Sequence, residues 1–146
     1  MVSEYPHRQT VPLRWKDNDV YGHVNNVVHY SLMDTVINTW LIEQGGLDFE
    51  RGEVIGLCVE SHCNYRGSVS FPGSLDVGLR VAHLGRTSVR YEIGMYSADA
   101  ELIAEGHFVH VFVDRASRRP VEIAGTLRKS LEALVPFFAP RTGPSG

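Results

Sequence analysis

Apolar residues recur along this chain in two rhythms. Met33, Val36, Ile37, Trp40 and Leu41 fall at the three- and four-residue spacing of one buried helix face. Asn25 or Asn26 offers the side chain that caps such a helix, and Gly45-Gly46 supplies a left-handed stop. The pattern predicts a helix of about 19 residues, roughly 28 Å long at ~1.5 Å per residue, which must lie across something wide. Elsewhere the period is two. Leu75, Val77, Leu79 and Val81 alternate with other residues, and Val89, Tyr91, Ile93 and Met95 repeat the pattern, the mark of half-buried strands. Residues 54–65 are rich in β-formers. Residues 102–113 are apolar on both faces around Phe108, Val109, Val111, Phe112 and Val113, which predicts a central strand covered on both sides. A weaker alternation over residues 10–15 predicts a short first strand. Pro72-Gly73 and the segments 83–86 and 98–100 read as turns. Residues 124–134 read as a second, short helix.

One strand, one long helix and then strands joined by short turns describe an α+β domain, with a single helix against one face of a curled antiparallel sheet. The chain's 146 residues suit one domain. Without an internal repeat or linker, that domain is expected over residues 1–135. Pro136, Pro140, Gly143, Pro144 and Gly146 then mark residues 136–146 as a mobile tail. One helix cannot cover both faces of such a sheet, so apolar surface is left for a second copy.

Composition removes several classes. With 43% hydrophobic and 21% charged residues, the chain is neither disordered nor collagen-like. A net charge of −3 argues against a nucleic-acid partner. No window approaches the ~18 apolar residues of a membrane span, and MVSEYPHRQT lacks the apolar run of a signal peptide. Cys58 and Cys63 make no disulfide framework. Five apart on a strand, they are expected to face opposite ways as free buried thiols. A cytoplasmic location with no membrane partner follows as the expectation.

The chemistry concentrates just before the long helix. Asp17, Asp19, Gly22, His23, Asn25 and Asn26 crowd its start. A helix N-terminus presents free N–H groups and partial positive charge, which can hold an oxyanion without a charged side chain. A carboxylate beside it can act as nucleophile or general base. Asp17 and Asp19 are equally suited to capping turns. The seven histidines, His7, His23, His29, His62, His83, His107 and His110, form neither HxxxH on the helix nor a zinc-spaced cluster with cysteine. His107 and His110, three apart on a strand, face opposite ways, so no metal is expected. Arg118-Arg119 and Arg128-Lys129 are small basic pairs suited to a solvated surface, or to the phosphates of a ligand.

The run Asp19-Val20-Tyr21-Gly22-His23-Val24-Asn25-Asn26 resembles the signature of hotdog-fold acyl thioesterases of the hydroxybenzoyl-CoA thioesterase type, in its GHVNN version. Cys63-Asn64-Tyr65-Arg66 through Phe71-Pro72-Gly73, and Leu84-Gly85-Arg86-Thr87-Ser88, resemble later segments of that family. The likeness covers about residues 10–134 and needs no cofactor. It implies a hotdog fold and hydrolysis of an acyl-CoA to a carboxylic acid and free CoA. It also implies sheets paired edge to edge, with sites between the subunits of a homodimer or homotetramer. By the resemblance, Asp19 is the catalytic carboxylate and Asn26 contributes the N–H that polarises the thioester oxygen. His23 orients Asp19 or lines the pocket, and Asp34 lies near the acyl group. Arg86, Thr87 and Ser88 meet CoA. His29 stands where the family usually has Tyr. Tyr21 stands where plant enzymes have a catalytic Asn, so a plant-type Asp-Asn-His set is not implied. Two alternatives share the fold. One is an enoyl-thioester hydratase or dehydratase, disfavoured by the four-residue Asp19–His23 spacing. The other is an acyl-thioester binding protein, which has no need of a carboxylate at the carbonyl.

Overall fold

The two periodicities sort onto two layers. In the computed structural model, which describes residues 1–136, five strands form one antiparallel sheet in the order β1-β3-β4-β5-β2. They are β1 (His7–Pro12), β2 (Val54–Tyr65), β3 (Ser74–Leu84), β4 (Ser88–Ser97) and β5 (Leu102–Asp114). The long helix α1 spans Asn26–Glu43 and a short α2 spans Gly125–Ala133. This is the α+β hotdog arrangement that the pattern and the resemblance imply. All but the first residue of the expected tail lies outside the described residues. No described helix is long and apolar enough to cross a membrane.

Met33, Val36, Ile37 and Leu41 of α1 are fully buried in one cluster with Leu75, Val77, Leu79 and Val81 of β3 and Val89, Tyr91, Ile93 and Met95 of β4. Each such side chain contributes about 1.5–3 kcal/mol, and their summed burial lays α1 across the sheet. Asn25 proves to be the N-cap, its side chain accepting the Val27 N–H at 3.1 Å. At the other end Gln44 and Gly45 both donate to the Trp40 carbonyl, and Gly46 adopts φ +75°.

Three sequence expectations are corrected. The first strand runs over His7–Pro12 rather than residues 10–15. Past Pro12 the Leu13 N–H turns to the Gly73 carbonyl, and Trp15–Asp17 winds into a 3₁₀ turn. Strand β5 is interior, between β4 and β2, but β4 holds the middle. Only one face of β5 is sealed along the middle of the strand: Phe108, His110 and Phe112 are buried, whereas on the face away from α1 His107, Val109 and Val111 stay half-buried and burial resumes only at Val113. A β-bulge between Cys58 and Glu60 inserts one residue into β2. It shifts the phase, so that Cys58 opposes His110 and Cys63 opposes Gly106, both on one face of the sheet. Both thiols are free, but only Cys63 is buried. Cys58 is exposed, on an edge strand of the sheet.

On the face away from α1, the Tyr5 ring lies against the cross-strand pair Gly78 and Gly94. A Cβ at Gly78 would come within 2.4 Å of Tyr5 Cγ. Gly78→Ala is therefore expected to expel Tyr5 and cost about 1–3 kcal/mol, read as a lower urea midpoint. A midpoint equal to wild type would show that Tyr5 contributes nothing there.

Candidate active site at the start of the long helix

The loop between β1 and α1 is built on a buried carboxylate. Asp17 is 1% exposed. Its Oδ2 accepts the Arg14 N–H at 2.7 Å and its Oδ1 accepts Arg14 Nη2 at 2.9 Å. Its carbonyl accepts the Asn25 N–H at 2.9 Å. One residue thus ties the end of β1 to the cap of α1. Burial alone would raise the Asp17 pKa, but hydrogen bonds from the Arg14 side chain and backbone, with the Arg14 and Lys16 charges, outweigh it and hold the carboxyl below its ordinary value.

Asp19 sits on the turn so anchored. Its N–H donates to the His23 carbonyl at 2.8 Å and its carbonyl accepts the Gly22 N–H at 3.1 Å. Gly22 has φ +84° and open space where a Cβ would stand, so the backbone conformation is what calls for glycine. Asp19 Oδ1 accepts the Tyr21 N–H at 2.8 Å, which fixes the carboxylate, while Oδ2 has no partner among the described residues. In the first turn of α1, Asn25 takes the N–H groups of Val27, through Oδ1, and Val28, through its carbonyl. The Asn26 N–H has no partner among the described residues.

Asp19 and Asn26 line one cleft of about 250 Å³ together with Tyr21, His23, Val24, His29, Tyr65 and the segment Gly67–Ser68–Val69. A second, open cleft also includes Asp19, with Trp15, Lys16, Asn18, Val20, Tyr21, Gly22 and Asn25. Trp15, 75% exposed, stacks edge-on to Phe71 at 6.0 Å above it. A carboxylate oxygen and a free amide sharing a cleft can serve as base or nucleophile and oxyanion donor.

The expected residues are only partly gathered here. Asp19, His23 and Asn26 share the cleft, although His23 is linked to Asp19 through its backbone carbonyl. Asp34 is exposed on α1, more than two turns beyond Asn26, where it accepts Asn38 Nδ2 at 3.1 Å. The Arg86–Thr87–Ser88 hairpin stands at the opposite end of β3 from the end that pairs with Pro12 and leads to Asp19. Arg86 is exposed and faces Glu122 at 3.4 Å. Among the described residues no group of three or more His, Cys, Asp or Glu is placed to hold a metal ion.

The thioesterase-like superfamily model matches residues 13–131. The chain belongs to that superfamily. Among solved structures, this thioesterase-like chain is similar to the PA5185 protein of Pseudomonas aeruginosa, with 52% identity over 92% of this chain and 94% of that one, and a TM-score of 0.88. It is also similar to a thioesterase of Thermus thermophilus solved with coenzyme A and zinc, at 27% identity over 90% and 95% of the two chains and a TM-score of 0.75. The fold extends to a 1,4-dihydroxy-2-naphthoyl-CoA thioesterase from Synechocystis, at 15% identity over 85% and 93% of the two chains and a TM-score of 0.77. No curated protein matches the chain.

In this thioesterase-like chain, the sequence assigns no role at the cleft to Tyr65, Ser68 and Trp15. Tyr65 comes from β2, 39 residues beyond Asn26, and donates its hydroxyl to the Asn26 carbonyl at 2.7 Å. Its place at the end of a strand of β-formers was the available signal. For Trp15 the signal was an indole beside a polar loop, outside any apolar period.

The depressed pKa of Asp17 carries a sign. Its contribution to stability is fully present above the ordinary value of 3.8 and is lost as the pH falls through the lower folded value. Asp17→Asn is expected to cost about 1–2 kcal/mol near neutral pH, reduced by the half-exposure of Arg14. That deficit should vanish at strongly acidic pH. Urea midpoints of both proteins across that range give the test, and a pH-independent deficit would contradict it.

Proposed function

We propose that the protein is an acyl-CoA thioesterase of the hydroxybenzoyl-CoA thioesterase type, the GHVNN version of the motif. The observation that carries this reading is that Asp19 Oδ2 and the Asn26 N–H, neither with a partner among the described residues, belong to residues that line one cleft. Asn26 N–H polarises the thioester carbonyl, helped by the positive end of α1. Asp19 then either takes a proton from an attacking water or adds to the carbonyl carbon itself. In both routes the C–S bond breaks, CoA leaves as thiolate and takes up a proton, and water supplies the oxygen of the acid. The role given to Asp19 distinguishes this reading from an acyl-thioester binding protein.

The reading places two copies together. Edge strand β2 is exposed, with Val59 60% accessible at the bulge, and Asp34 is exposed on α1. An exposed edge pairs readily with a second chain. Asp19 and the Arg86–Thr87–Ser88 hairpin lie at opposite ends of β3, about 30 Å or more apart for 11 residues, which favours a CoA engaged at Asp19 of one copy and at that hairpin of a second. A homodimer is the minimum assembly and a homotetramer is compatible with it. The free thiols suit a reducing cytoplasm.

Asp19→Asn should keep fold and assembly and lower kcat by about 100-fold or more, whereas Asp17→Asn should cost less than about tenfold. A panel of acyl-CoAs with a thiol-detecting dye makes the measurement, and near-wild-type turnover of the Asp19 variant removes it from the mechanism. Arg86→Ala should raise KM for acyl-CoA with little change in kcat, and the rise should shrink for an acyl-pantetheine without the nucleotide. An equal rise for both substrates, or a stable monomer in sedimentation, would detach the hairpin from CoA.

A further inference from the structure

The imidazole of His29 is only 3% exposed, yet it faces the cleft that holds Asp19. Its Nδ1 lies 3.3 Å from the Asn26 carbonyl oxygen. A carbonyl only accepts, so Nδ1 carries the hydrogen of the neutral ring and Nε2 carries the lone pair. Tyr65 fixes the ring from the side, edge-on at 4.9 Å and 87°, while its own hydroxyl donates to the same carbonyl. Among the described residues, the one sealed side-chain nitrogen or oxygen without a partner is His7 Nε2. His29 Nε2, which also has no partner among the described residues, therefore opens onto the cleft. Burial, partly offset by the Asn26 and Asn25 carbonyls, pushes the His29 pKa below its ordinary value of 6.5. The ring is thus neutral at neutral pH. The other titratable groups facing this cleft are Asp19, Tyr21 and His23 from the loop and Tyr65 from β2, with Cys63 beside Tyr65.

We infer that His29 is a water-positioning residue of the site: its Nε2 accepts one hydrogen of the hydrolytic water while Asp19 Oδ2 accepts the other. The inference rests on the thioesterase reading, in the route where Asp19 acts as base. A cleft of about 250 Å³ holds a water beside a thioester carbonyl, since a water takes about 30 Å³. Held by two acceptors, the water turns a lone pair toward the carbonyl carbon. In the step, its oxygen bonds to that carbon, Asp19 takes one proton, and the oxyanion forms at the Asn26 N–H. Collapse breaks the C–S bond. His29 keeps the second hydrogen bond and ends the step as neutral as it began. Protonation of His29 would make Nε2 a donor and turn the water away, so activity falls on the acid side as His29 titrates.

The experiment compares wild type, His29→Gln and His29→Phe in kcat, KM and pH profile with one acyl-CoA, alongside ring-nitrogen NMR of the free protein. His29→Phe should lower kcat by about tenfold or more, within what misplacing a reactant costs, with KM changed by less than about threefold. His29→Gln keeps an acceptor without a titrating ring. It should retain most of the wild-type kcat, and its acid limb should move to lower pH. NMR should show Nδ1 protonated and Nε2 bare. An Nε2-protonated ring, a Gln variant as damaged as Phe, or an unmoved acid limb in the Gln variant each overturns the inference. If wild type turns over no acyl-CoA, the thioesterase reading falls and the inference with it. Wild-type turnover with any of the three contrary results sinks the role of His29 alone.

Discussion

Everything at the candidate site hangs on the buried carboxylate of Asp17. Its oxygens hold Arg14 at the close of β1, and its carbonyl holds Asn25 at the cap of α1. The chain between these two points has little freedom. Asn18 and Val24 bridge across it, and Gly22 supplies the positive φ at its tip. Asp19 lies inside this closed turn, so its carboxylate is placed by backbone geometry rather than by side-chain packing. An anchored turn of this kind loses little entropy when a reactant binds, which is what pre-organised chemistry needs.

The second determinant is the long helix. Its apolar stripe is buried against β3 and β4, and this packing sets the position of its N-terminus near the sheet end from which Asp19 departs. The first-turn amides are shared out unequally. Asn25 takes those of Val27 and Val28, leaving that of Asn26 without a partner among the described residues. The Asn26 carbonyl is in turn the meeting point of Tyr65 and His29. The helix cap, the free amide and the imidazole orientation therefore all arise from two successive asparagines.

The two faces of the sheet differ in kind. The face under α1 is continuous and apolar, apart from His110, whose ring is buried near Tyr91 and whose pKa burial pushes down to about 4. The opposite face carries polar cross-strand neighbours, among them the ion pair Arg80 with Glu92, and His107 hydrogen-bonded to Glu60. Residues 102–113 look apolar on both faces when only residue types are counted. The half-exposure of Val109 and Val111 shows that a β-branched residue on a strand's outer face does not imply a second covering layer.

Local pattern determined which segments became α1, β2, β3 and β4, because the three-to-four and two-residue periods report which side of each element meets a core. It also marked the polar run before α1, because free helix amides, carboxylates and a glycine turn are neighbours in the chain. Tertiary structure alone decided strand order, the early end of β1 and the phase of β2. A bulge at Val59 puts Cys58 and Cys63 on one face, although their spacing puts them on two. The tertiary structure brought Tyr65 to Asn26 across 39 residues and sent Arg86 to the far end of β3. The physical reason is common to these cases. Burial on one face leaves a periodic trace in the sequence, whereas pairing register and convergence depend on which distant backbone groups find each other.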